Sequence, residues 1–271
     1  MPCFFDADEN EVYFFMPKAT QGLPLSISQN FLTGGGTIER LLATSDIDGN
    51  DLVLEIGAGK GHITKRLSPR CRRVLAYELD RRLYAHLAPQ LPANVELRCG
   101  DFLRAELPAG SYKVFANIPF SRTTEILRKL TEASNPPGAM WLVVERGAAK
   151  RFCGLPREST QSLLLKPFYQ TRIAAFLRRE DFHPAPRVEA ALLELKRKDE
   201  PDIPWDCRGA YKRFIQRGLR EGFSGSHGLL THKQVSTALR LDGLPPIKPS
   251  GQMLYVQWLC LFRCWQRYGR H

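Results

Sequence analysis

The 271 residues carry 39 Lys and Arg against 28 Asp and Glu, a net charge of +11, with 43% apolar and 25% charged side chains. Such a composition excludes wholesale disorder, exceeds one ordinary domain in length, and favours a polyanionic partner, either nucleic acid or an anionic membrane surface. Seven scattered cysteines with no C-x-x-C pair, and no histidines at zinc spacing, argue against a disulfide framework and predict a metal-free site.

The first 25 residues fit no nameable pattern and read as an N-terminal extension. They carry Asp6, Asp8, Glu9 and Glu11 where a secretory leader would be cationic. No run reaches the roughly 18 apolar residues of a spanning helix. The densest stretch, Trp258 to Trp265, is interrupted by Arg263. A cytoplasmic protein without membrane contact is expected.

From about residue 50 to 197, short apolar runs alternate with helix-like segments. The runs are Leu52–Ile56, Arg73–Glu78, Val95–Cys99, Lys113–Asn117 and Met140–Glu145; the segments between them include Gly61–Leu67, Arg81–Gln90 and Thr123–Leu130. Consecutive Val, Leu and Ile fit strands covered on both faces, so the alternation predicts an α/β fold with a parallel sheet between two helical layers.

The first run enters Gly57-Ala58-Gly59-Lys60-Gly61. Glycines at a strand-to-helix turn allow positive φ and close approach of backbone to a ligand. The spacing is G-x-G-x-G, and His62 stands where a dinucleotide fingerprint needs its last glycine; no P-loop string occurs. Glu78, at the end of the second run, follows Gly57 by 21 residues, the spacing at which an acid meets ribose hydroxyls. Asp101, after the third run, can accept from an adenine amine. Loops after successive parallel strands converge on one crevice. Together these residues describe an adenosine-bearing ligand without a pyrophosphate, which S-adenosylmethionine fits.

The fourth run ends in Asn117-Ile118-Pro119-Phe120. An adenine N6 amine is a poor nucleophile because its lone pair is delocalised into the ring. Two acceptors holding its N–H bonds favour a pyramidal nitrogen with the lone pair directed at a methyl group. The Asn117 side-chain oxygen and the Ile118 carbonyl can serve; Pro119 fixes the backbone without a competing donor, and Phe120 offers a flat face for an unstacked base.

Gln170–Arg178 and Val188–Lys196 read as two strands joined by the proline-rich link Phe182–Pro186, a hairpin at the sheet edge. The charged stretch Arg197–Pro204 marks a domain boundary, and Asp206–Arg267 reads as a small helical domain. Its first helix is amphipathic: Tyr211, Phe214, Ile215, Gly218 and Leu219 on one side, Lys212, Arg213, Arg217 and Arg220 on the other. Those cations, with Arg128, Lys129, Lys150 and Arg151 near the ends of strands four and five, are the candidates for phosphate contact.

With these residues in view, the chain resembles the erythromycin-resistance (Erm) methyltransferases of the ribosomal RNA adenine dimethyltransferase superfamily. The likeness runs from about Ser28 to the end and rests on Ser28–Leu32, Glu55–His62, Glu78, Gly100–Phe102, Ala116–Phe120 and Phe182–Leu195. It implies a Rossmann-like S-adenosylmethionine-dependent methyltransferase sheet, mostly parallel with an antiparallel edge hairpin, over residues 26–198, and a helical RNA-binding domain over 199–271. It also implies that Asn30, Leu32, Gly57, Gly59, Glu78, Asp101 and Asn117 line the cofactor site. The expected activity is methylation of N6 of one adenine in 23S rRNA, conferring macrolide-lincosamide-streptogramin B resistance, by a monomer acting before the ribosome is fully assembled. Two alternatives stay open: a small-subunit (16S-type) dimethyltransferase, whose usual fourth motif has Leu and Tyr where Ile118 and Phe120 stand, and a non-catalytic assembly factor on the same fold.

Overall fold

The computed structural model describes residues 30–223, 228–248 and 252–269. The expected extension over residues 1–25 lies outside them, as do Ser28 and Gln29. A seven-stranded sheet forms the centre. Its strands are β2 (Leu52–Ile56), β3 (Arg73–Glu78), β4 (Val95–Cys99), β5 (Lys113–Asn117), β6 (Ala139–Glu145), β7 (Tyr169–Leu177) and β9 (Ala190–Arg197), in the order β4-β3-β2-β5-β6-β9-β7. The first five are parallel; β9 runs antiparallel to both β6 and β7. The expected hairpin is therefore present, with β7 on the edge.

Alternation along each strand explains why the sheet is covered twice. Leu54, Ile56, Val114, Ala116, Met140, Leu142 and Val144 enter one apolar cluster, whereas Val53, Phe115, Trp141 and Val143 enter the other. Both sets are buried, as period-two side chains between two layers must be. The second cluster takes Ile38, Leu41 and Leu42 from α1 (Gly35–Leu42) and Leu67 from α2 (Thr64–Leu67). The first takes Ile126, Leu127 and Leu130 from α4 (Thr123–Thr131), Phe152 from α5 (Arg146–Cys153), and Leu163 and Leu165 from α6 (Thr160–Leu165).

Three helices close the chain: α7 (Arg208–Glu221), α8 (His232–Leu241) and α9 (Tyr255–Tyr268). Their apolar faces belong to the same cluster as one face of the sheet, with Phe214 packed among Phe223, Trp258, Phe262 and Trp265. Leu219 departs from expectation. It is 52% exposed, because the buried arc of α7 stops at Gly218, where a Cβ would already lie 2.9 Å from both Phe223 and Trp258. Helix ends also differ from the sequence reading. The segment expected from Gly61 becomes helical only at Thr64, and Arg81–Gln90 divides into α3 (Arg81–Leu87) and a 3-10 turn around Pro89. Val188 lies outside β9 and is exposed.

One pairing has no local signature. Phe31–Leu32 (β1) and Phe182–His183 (β8) form a two-stranded antiparallel ribbon. Thr33 donates its N–H to the Asp181 carbonyl (3.0 Å), and the Thr37 hydroxyl donates to Asp181 Oδ1 (2.7 Å). Asp181 Oδ2 accepts from the Arg178 N–H (2.8 Å). This ribbon straps the start of the described chain to the end of the hairpin.

Candidate active site

In an open α/β sheet, ligands bind beyond the carboxyl ends of the strands, where the strand order reverses. Here that point lies between β2, which continues to β3 and β4, and β5, which continues to β6. The glycine turn follows β2 and the Asn117 motif follows β5, so the two expected motifs are neighbours; a Cβ on Gly57 would stand 3.8 Å from the Asn117 carbonyl.

The turn is held firmly from beneath. Gly57 and Ala58 both donate to the Tyr77 carbonyl (2.9 and 3.0 Å). Gly57, Gly59 and Gly61 all have positive φ, at 78°, 58° and 77°, which only glycine adopts without penalty. Space is equally restrictive, since a Cβ on Gly59 would lie 2.8 Å from the Phe31 ring and one on Gly61 2.4 Å from Leu87.

Glu78 is 2% exposed, and both its oxygens are hydrogen-bonded, Oε2 to the Gly59 N–H (2.6 Å) and Oε1 to the Asp80 N–H (2.8 Å). A carboxylate has about four lone-pair sites, so each oxygen retains acceptor capacity for a ribose hydroxyl. Asp101 caps a 3-10 turn through Oδ1, which accepts from the Leu103 N–H (2.9 Å); Oδ2 takes no hydrogen bond among the described residues. Leu32 is 2% exposed, its side chain packed into the second apolar cluster.

Across the crevice, Asn117 Nδ2 donates to the Asn30 carbonyl (2.8 Å). A carbonyl can only accept, which forces the amide nitrogen towards it and turns Oδ1 away. Neither Oδ1 nor the Ile118 carbonyl takes a hydrogen bond among the described residues. Ile118 is buried, Pro119 exposed and Phe120 half-buried. Two free acceptors thus sit beside an aromatic ring at the mouth of the crevice.

The signal for Asn30 was absent from composition and periodicity. The β1–β8 ribbon lies next to Asn30, whose main-chain carbonyl meets the Asn117 amide. Sequence reasoning also assigned no separate task to Glu55, which lies in β2 beneath the turn and is 1% exposed, with Oε2 unpaired among the described residues. Burial pushes its carboxyl up to about 8, nearby Thr64 opposes the rise, and the neighbouring Glu78 charge adds to it. His62, after the turn, is held below the usual imidazole value by burial and by Arg66, Lys60 and Lys65 around it.

The candidate phosphate contacts divide. Arg128, Arg151 and Arg213 are exposed and Lys150 half-exposed. Lys129 differs from expectation: its ammonium donates to the carbonyls of Leu103 (3.0 Å) and Ala105 and lies over the Phe102 ring, so it serves the fold. On α7, Lys212 pairs with Glu132, and Arg217 and Arg220 both reach Glu221, which partly neutralises that stripe. No group of three or more His, Cys, Asp or Glu side chains able to hold a metal occurs among the described residues, and no helix there is long and apolar enough to cross a membrane.

The residues fit an S-adenosyl group: a glycine cradle that side chains would fill, a buried carboxylate with remaining lone pairs, and a second half-buried carboxylate.

Known proteins resemble this chain. The profile of the family described as ribosomal RNA adenine dimethylase matches residues 24–220. An rRNA adenine N-6-methyltransferase of Streptomyces fradiae is 32% identical over 249 residues, covering 88% of this chain and 77% of the relative. A ribosomal RNA small subunit methyltransferase A of Streptococcus equi subsp. zooepidemicus is 33% identical, covering 86% of this chain and 88% of the relative. The crystal structure of the 23S rRNA methyltransferase ErmE superposes with a TM-score of 0.77 at 27% identity, over 88% of this chain and all of that one. Sheet order, glycine turn, Asn117 motif and these likenesses agree: the chain belongs to the ribosomal RNA adenine dimethylase family and is an rRNA adenine N6-methyltransferase.

Proposed function

We propose that the protein methylates N6 of a single adenine in 23S rRNA, uses S-adenosylmethionine as donor, and thereby confers macrolide-lincosamide-streptogramin B resistance. The observation that carries the chemistry is the pair of free acceptors, Asn117 Oδ1 and the Ile118 carbonyl, at the strand end adjoining the glycine turn. Support for the 23S target comes from Asn-Ile-Pro-Phe at 117–120, where the small-subunit branch usually has Leu and Tyr, and from the extent of the likeness to ErmE.

In this reading Gly57 and Gly59 let the cofactor lie against the backbone, Glu78 accepts its ribose hydroxyls, Asp101 accepts its adenine amine, and Asn30 and Leu32 cover it. Bound there, the cofactor supplies an electrophilic methyl carbon. The substrate adenine leaves its stack at a cost of a few kcal/mol and lies on Phe120. Asn117 Oδ1 and the Ile118 carbonyl each accept one N–H of N6, which fixes the nitrogen's orientation. Positioning and electrostatics supply the acceleration. Residues 26–198 bind cofactor and target base, and 199–271, with Arg128, Lys150 and Arg151, contact phosphates. We infer a monomer acting in the cytoplasm on RNA not yet fully assembled into ribosomes.

The test is to incubate the protein with labelled S-adenosylmethionine and, separately, 23S and 16S rRNA, then map the modified base. Label at N6 of one 23S adenine is expected. Label confined to 16S rRNA overturns the target assignment.

A further inference from the structure

Asn117 pairs with Val143 in the sheet; two residues nearer the working edge, Glu145 pairs with Ala190, which pairs in turn with Leu177. Because β9 and β7 run antiparallel to each other, the end of β7 and the start of β9 both reach the edge that carries Asn117. β7 lies three strands away from it and β9 two, roughly 14 and 10 Å at the usual strand spacing.

At that place is a cleft of about 350 Å³ lined by Arg146, Phe176, Arg178, Arg179, Glu180 and Glu189. Phe176 is 58% exposed. The Arg146 guanidinium lies over its ring at 4.8 Å and pairs with Glu189, while its buried Nε–H has no partner among the described residues. Arg179 Nε is anchored on the Pro186 carbonyl (2.7 Å).

A single exposed aromatic is ordinary. This one differs because it stands in a cleft with three guanidinium groups against two carboxylates, on the edge where the target base enters. Aromatic faces beside arginines are what single-stranded nucleic acid uses for sequence-tolerant stacking and phosphate contact.

We propose that this cleft binds a nucleotide of the substrate RNA other than the target adenine, its base stacked on Phe176 and its phosphate held by Arg146 and Arg178. The proposal rests on the reading of the site as an RNA methyltransferase centre and extends its RNA path to the hairpin. Glu189 then competes with the phosphate for Arg146.

The test uses labelled S-adenosylmethionine with transcribed 23S and 16S rRNA, and compares the full chain with Phe176→Ala, Phe176→Trp and Glu189→Gln on whichever RNA the unaltered protein methylates. Phe176→Ala is expected to raise the KM for RNA about 5- to 100-fold, as loss of one stacked base does, with kcat and cofactor Kd unchanged. Phe176→Trp restores binding, and Glu189→Gln lowers the KM by about two- to fivefold, the scale of an exposed ion pair. An unchanged KM in Phe176→Ala overturns the proposal and leaves the face to a protein partner. A rise in KM accompanied by equal loss of cofactor binding overturns it as well. Methylation of 16S alone refutes the 23S reading while the variant comparison still decides the cleft; methylation of neither RNA refutes both.

Discussion

The two sides of the crevice are built on opposite principles. On the β2–β3 side, the polar groups are already bonded to the protein: Glu78 is buried with both oxygens occupied, and the glycine turn hangs from Tyr77. On the β5 side, Asn117 has one end of its amide fixed and the other free, and Pro119 is exposed. A cofactor of constant shape rewards a rigid receptacle, whereas a base that must swing out of an RNA stack needs open acceptors and an open approach. On the proposed reading the contrast separates binding from chemistry, and substitutions can break it on either side.

The largest effect is expected on the open side. Asn117→Ala should lower single-turnover methyl transfer by about two to three orders of magnitude, the cost of losing one oriented polar group at the reacting centre, while RNA affinity stays within a few-fold. Near-normal turnover would remove Asn117 from the acceptor role.

On the closed side, Glu55 makes rigidity depend on pH. Its carboxyl is raised from 4.5 to about 8, so between those values the folded protein holds a proton that the unfolded chain releases. Stability therefore falls as pH rises through that window, by an amount on the order of a few kcal/mol. Glu55→Gln, neutral throughout, should flatten the decline. Equal losses of Tm for both proteins between pH 5.5 and about 8 would show that Glu55 is not the group responsible.

Gly59→Ala tests the cradle itself. Left-handed backbone costs a non-glycine residue roughly 1–2 kcal/mol, and its Cβ would meet Phe31 at 2.8 Å. A loss of cofactor affinity of about tenfold or more is expected by calorimetry, with RNA binding retained; unaltered cofactor affinity would show that the turn does not approach the ligand.

The smallest effect concerns the strap between the two sides. Asp181→Ala removes hydrogen bonds to Thr37 and Arg178 and should cost about 1 kcal/mol in stability, with several-fold slower turnover as the Asn30 carbonyl loses its register on Asn117. Asp181→Asn can keep both bonds, because the Thr37 hydroxyl can accept as well as donate, and should restore activity. Failure of that rescue would mean the charge of Asp181, not its bonds, is what matters.

What was legible in the chain follows from the range of the interactions. Strands β2 to β5 have the bounds expected from their apolar runs; in β2, β3 and β5 burial on both faces writes itself into consecutive residues, whereas the edge strand β4 has no buried residue. The glycine turn was legible because positive φ restricts residue type locally. The β1–β8 ribbon was not, since two dipeptides about 150 residues apart leave no periodicity. The Asn30 carbonyl was invisible for a simpler reason: every residue has one. Lys129 misled because a charge near a strand end reads the same whether it faces solvent or the carbonyls of Leu103 and Ala105. Leu219 misled because helical phase places it on the apolar side although the packing partners stop at Gly218.

The reversed direction of β9 has a consequence beyond the strand itself. In an all-parallel arrangement, each strand delivers one loop to the working edge. Turning β9 around delivers there a whole connection, residues 178–189, tethered at both ends by neighbouring strands. Such a tethered connection can change length or composition on either side of β8 while the six ladders of the central sheet remain as they are. On the proposed reading, a chassis of this type can acquire a new RNA preference through the residues of this connection outside Asp181–His183, which must stay to keep the strap on Asn30.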